Sequence, residues 1–148
     1  MKDRLRTEFV VLALLLQCSS VKAASNFQQS VRTQLSGVWV GFAVEGKGEN
    51  PDRGPVNVEL TITPEVIQGR ELRGDKVIDH GEGSYQIDPA VIPPLLDATR
   101  NGARRESWLG IFSLEGDTLK WCVGRRQRPS EFETKKGAFL LILKRQKP

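Results

Sequence analysis

A chain of 148 residues with 22 basic and 18 acidic side chains carries a formal charge of +4, and 39% of it is hydrophobic. That suits a single domain with a core of useful size, and it lacks the concentrated basic face that a nucleic-acid protein needs. One histidine and two cysteines leave no complete zinc set and no disulfide framework.

The front of the chain predicts an export signal over residues 1–23. Lys2, Arg4 and Arg6 precede an unbroken apolar run from Phe9 to Leu16, and Val21-Lys22-Ala23 offers small residues at a cleavage spacing. The run is too short to span a bilayer, so the mature chain is expected to have no transmembrane segment and to reach the periplasm or the exterior. Leu15-Leu16-Gln17-Cys18 suggests a lipoprotein as an alternative, but Gln17 is bulky where a small residue is expected. Removing residues 1–23 takes away four basic and two acidic residues and leaves a charge near +2. Cys122 is then the single cysteine, which excludes an intrachain disulfide.

Residues 24–34 are polar and predict a short helix, with Phe27 and Val31 packed against a barrel mouth. Leu35 to Val44 is expected as the first strand, with Val38, Val40 and Phe42 on one side and Trp39, Gly41 and Ala43 on the other. Glu45 to Gly54 is a loop rich in glycine and charge. Val56 to Thr63 alternates cleanly: Val58 and Leu60 face a core while Asn57, Glu59 and Thr61 face water. Thr63-Pro64-Glu65 turns the chain, Val66 to Leu72 returns, and Arg73-Gly74-Asp75 is turn chemistry rather than an adhesion tripeptide. Lys76 to Ile78 and Ser84 to Asp88 are short strands around a loop at 79–83. Pro89, Pro93 and Pro94 confine residues 90–97 to an edge strand or an irregular crossing. Thr99 to Glu106 is a hydrophilic loop turning at Asn101-Gly102.

Trp108 to Phe112 and Thr118 to Val123 form a hairpin about Glu115-Gly116-Asp117. Leu119, Trp121 and Val123 point one way, and Thr118, Lys120 and Cys122 the other. Gly124 to Lys136 is a basic loop, with Phe132 folding back as an apolar plug. Gly137 to Leu143 is a last, almost continuously apolar strand. Many short strands at even spacing predict an all-β chain, an up-and-down antiparallel β-barrel of about eight strands over residues 35–148. Pairing the apolar first and last strands would remove the exposed edges.

Leu35-Ser36-Gly37-Val38-Trp39, Gly110-Ile111-Phe112, Gly116-Asp117-Thr118-Leu119-Lys120, Cys122, Arg128-Pro129 with Phe132, and Leu143-Lys144-Arg145 occur in order. In these the chain resembles a planctomycete family of uncharacterised secreted proteins with a lipocalin-like domain, over Leu35 to Arg145. The resemblance implies architecture and no activity. It also implies that Gly37 and Trp39 open the barrel, and that Arg145 or Arg128 stacks on the Trp39 indole to close the floor.

No nucleophile with a signalled base, no Gly-x-Ser-x-Gly and no metal set is present, so neither catalysis nor a cofactor is expected. His80 beside Asp79 and Glu82 reads as a solvated loop, and Cys122 as a small buried hydrophobe. The expected function is to bind a small apolar or amphipathic ligand in a lumen lined by Val40, Phe42, Val58, Leu60, Phe112 and Trp121. Arg125, Arg126 and Arg128 would form a basic lip over it. The alternative is a non-catalytic interaction module of the cell envelope acting through loop 124–136. Oligomeric state is open.

Overall fold

The computed structural model describes residues 4–45, 56–102, 105–134 and 137–147, with helical side chains described from residue 20 onward. The loop read at Glu45 to Gly54 therefore lies almost wholly outside the described residues, as do Lys135 and Lys136. So does the side chain of Cys18.

A helix, α1 (Arg4–Leu35), precedes eight strands: β1 (Gly37–Glu45), β2 (Val56–Ile62), β3 (Val66–Arg73), β4 (Lys76–Asp88), β5 (Leu95–Arg100), β6 (Ser107–Glu115), β7 (Thr118–Gly124) and β8 (Phe139–Arg145). Each strand pairs antiparallel with the next in sequence, and β8 returns to β1, with Gly41 opposite Leu143. The barrel is closed by the β1–β8 pair, so neither the first nor the last strand is left as an open edge. The chain is all-β apart from α1, as expected.

Several predicted boundaries change. The short helix expected over residues 24–34 is the end of a helix that runs from Arg4 to Leu35, so the first strand begins at Gly37 and not at Leu35. The short strands expected on either side of residues 79–83 are one 13-residue strand, β4. Its polar middle rises beyond the core, so no apolar alternation marks it. The irregular crossing expected at 90–97 ends earlier: the prolines stop at Pro94 and β5 begins at Leu95, taking in Thr99 and Arg100.

Inward side chains from every strand make one core, including Trp39, Leu60, Ile67, Tyr85, Leu96, Phe112, Leu119, Trp121 and Leu143. β2 shows the pattern best: Val58, Leu60 and Ile62 are buried and the residues between them are not. A second cluster lies on the outer wall, where Ile111, Cys122 and Ala138 meet Leu95, Phe132 and Leu140. The segment after β7 folds back to cover it, with Phe132 as the plug.

One end is sealed by the C-terminal turns of α1. Gln28 donates to the Ile87 carbonyl at 2.7 Å, and Arg32 donates to the Pro64 and Tyr85 carbonyls at 2.9 and 3.3 Å. The Arg32 guanidinium also lies 4.5 Å from the centre of the Tyr85 ring. The helix thus docks at the floor rather than at the mouth expected from sequence. Val31 packs on the core as expected, while Phe27 stays 53% exposed.

The floor is finished by Trp39 and Arg145. Trp39 Nε1 donates to the Leu35 carbonyl at 2.8 Å, and the Arg145 guanidinium stacks 4.2 Å from the indole centre. Arg145 also donates to the carbonyls of Ser36 (2.6 Å) and Gln34 (2.5 Å), tying the last strand to the end of the helix. Gly37 makes room for this: its φ is +142°, and a Cβ there would lie 2.7 Å from Arg145 Nη1. Among the described residues, no helix is long and apolar enough to cross a membrane.

Candidate functional site

The half of the barrel away from α1 encloses a cavity of about 620 Å³. Its described rim is formed by Arg73 and Gly74 at the β3–β4 turn, by Arg100 and Glu106, and by Arg125 after β7. The space exists because several inward positions there carry little or no side chain, among them Ala43, Gly69 and Ala98. At Gly69 an added Cβ would meet only Leu60 Cδ1, at 3.8 Å, so the lumen beside β3 is open. The deep wall is apolar, formed by Val58, Leu60, Ile67, Trp121 and Leu141, with Trp108 and Phe139 higher up.

Charges collect at the rim. Glu71 points inward and is held twice, by His80 Nε2 at 3.1 Å and by Arg73 Nη2 at 2.8 Å. Arg70 belongs to the outer face, where it meets Glu59 at 3.3 Å and Asp79 at 3.6 Å. The Gly81 N–H donates to Asp79 at 2.7 Å and, with Gln68, holds that carboxyl below its ordinary pKa. Arg100 continues the inward series of Leu96 and Ala98 on β5 and lines the cavity, as do Glu106 and Arg125.

Of the six residues expected in the lumen, Val58, Leu60 and Trp121 line it. Phe112, paired with Trp121, faces inward but is packed into the core and does not reach the cavity. Val40 and Phe42 are on the wrong side. Trp39 is fully buried and Ala43 lines the cavity, so the odd-numbered residues of β1 face in; Phe42 is 37% exposed on the outer wall. A strand's period of two makes this an all-or-none error.

The basic lip also changes. Arg125 reaches the rim, and Arg126 is exposed without lining the cavity. Arg128 is elsewhere: it forms a two-armed ion pair with Asp97 on the outer wall, at 2.6 and 2.7 Å, and donates to the Gly110 carbonyl at 2.9 Å. The hydrogen bonds to Asp97, with its charge, hold the Arg128 pKa above the ordinary value. Arg145, not Arg128, is the arginine on Trp39.

Sequence reasoning missed Trp108, Arg100 and the Glu71–His80 pair. Alternation along β6 from Phe112 back through Gly110 would have found Trp108. Arg100 and His80 were hidden in stretches read as polar loops. Cys122 is fully buried, its thiol pKa pushed up by that burial, with Sγ 3.5 Å from the Glu133 carbonyl. Among the described residues no three of His, Cys, Asp or Glu come together to hold a metal ion. Comparison of the chain with protein-family models, with curated proteins and with solved structures finds no match.

Proposed function

We propose that this is a non-catalytic binding protein that carries a small, largely apolar molecule in the barrel lumen after export. The observation that supports the reading is the cavity itself. Eight-stranded barrels either fill with side chains or keep room for one small ligand, and this one keeps about 620 Å³. That volume lies within the usual range of small-molecule sites, with an apolar deep wall and a rim of charged and polar groups. Two tryptophans in the wall offer broad, flat faces for such a molecule. The reading as an envelope module acting through loop 124–136 is weakened, because Arg128 is spent on Asp97 and Phe132 on the outer wall.

Native mass spectrometry of protein taken from its own cell envelope tests the proposal. A reproducible added mass that is lost on denaturation is expected. Repeatedly empty protein would count against it.

A further inference from the structure

The rim of the lumen carries an arginine with no carboxylate partner among the described residues, and this points to the class of ligand. We infer that the lumen takes a monoanionic amphipath: an apolar body lies against Leu60, Trp108 and Trp121, and a single carboxylate meets Arg100. The inference rests on the lumen being a binding site and adds what the ligand's head must be.

Arg100 pairs in register with Gly83, which presents no side chain across the ladder. Its Nε lies 4.0 Å from where a Cβ on Gly81 would be, so the side chain reaches along β4 beside Gly81. Of the other charges described there, Glu71, Arg73 and Arg70 have partners, while Arg125 and Glu106 are exposed to solvent. Glu71 is engaged by Arg73 and His80, and Arg70 is turned outward to Glu59 and Asp79. Glu106 lines the rim, and its carbonyl accepts the Arg100 N–H at 2.9 Å, but its side chain is exposed. Among the described residues, no carboxylate lies within ion-pair distance of Arg100.

A half-buried guanidinium beside an apolar wall gains most from a planar anion that its fork can hold with two hydrogen bonds. Among the described rim residues, Arg73, Arg100 and Arg125 are set against Glu71 and Glu106, an excess of one positive charge. One carboxylate balances it, whereas a cationic head would add to it. Arg125, exposed beside the opening, adds attraction at entry.

The test is calorimetric titration of the full mature chain with three twelve-carbon probes below their micelle concentrations: dodecanoate, dodecan-1-ol and dodecyltrimethylammonium. Dodecanoate should bind at least tenfold tighter than the alcohol, with the cation weakest. Arg100→Met should bring dodecanoate down to the level of the alcohol and leave the alcohol within twofold of its original affinity. Arg100→Lys, which keeps the charge but not the fork, should fall between, and it serves alone if the methionine variant does not fold. Equal binding of acid and alcohol, or equal loss of both in Arg100→Met, would overturn the carboxylate assignment while leaving the lumen a binding site. Binding of none of the three would overturn both.

Discussion

The indole Nε1 of Trp121 donates to the carbonyl of Leu96 at 3.0 Å, across a gap in the β5–β6 ladder. Those strands pair at Leu95 with Ile111 and at Ala98 with Trp108, and side chains serve the backbone between. Asp97 accepts from the Gly110 N–H at 3.0 Å, and Arg128 donates to the Gly110 carbonyl at 2.9 Å. The lumen wall and the outer strap therefore share one seam.

Gly110 is the residue this seam depends on. A Cβ there would lie 2.3 Å from Trp121 Nε1 and 2.8 Å from the Leu96 carbonyl oxygen. Gly110→Ala should push the indole off its acceptor and cost about 1–3 kcal/mol, as overpacking does. A lower urea midpoint together with a shifted tryptophan emission would show it; unchanged emission would not fit.

Asp97→Ala should strand both the Gly110 N–H and Arg128. The pair is about one-third exposed (31% and 32% for the two side chains), so solvent takes part of the loss, and about 1–3 kcal/mol is expected. A double-mutant cycle with Arg128→Met should return a coupling energy of about 1 kcal/mol or more. Additive losses would mean that the strap is held elsewhere.

At the floor, Trp39→Ala should cost about 3–5 kcal/mol, because a fully buried indole is lost with its bond to Leu35. Arg145→Met keeps the bulk but loses the stacked charge, worth about 1–2 kcal/mol, together with the partly exposed bonds to the Ser36 and Gln34 carbonyls. Thermal melts should therefore rank Trp39→Ala well below Arg145→Met, with the native chain highest.

Much of this was readable in the residues, and the exceptions have physical causes. β2 alternates apolar with polar, so the inward side of Val58 and Leu60 could be assigned directly. β1 does not: Val38, Val40 and Phe42 are as apolar as Trp39 and Ala43, because β8 and β1 carry apolar residues on the outer wall too. Hydrophobicity could not choose a face there, and the bond from Trp39 to the helix end decides it. The upper wall was hidden for a different reason. Around the mouth a strand need not be apolar, so the Asp79 to Gly83 part of β4 and the end of β5 look like loops. His80 and Arg100 went unseen with them.

Alkaline pH should weaken the fold. Burial raises the pKa of Tyr85 above its ordinary 10.0, against a smaller opposing pull from Arg32, and burial raises that of Cys122 above 9.0. Both groups are favoured neutral when folded. Their contribution is therefore whole below the unfolded values and is lost as pH climbs past them toward the folded ones. Urea midpoints should hold from pH 7 to about 8.5 and then fall toward pH 10.5, with a smaller fall in Tyr85→Phe.

The most direct measurement is binding after the lumen has been filled from within. Gly69 has no neighbour but Leu60 within 4 Å of an added Cβ, so Gly69→Phe should place a ring in the open space without displacing the wall. Titration of dodecan-1-ol into the native protein should give one site, and the filled variant, with its melt preserved, should bind at least tenfold more weakly. Equal affinity in the two, or no heat in the native protein, would contradict a ligand in the barrel.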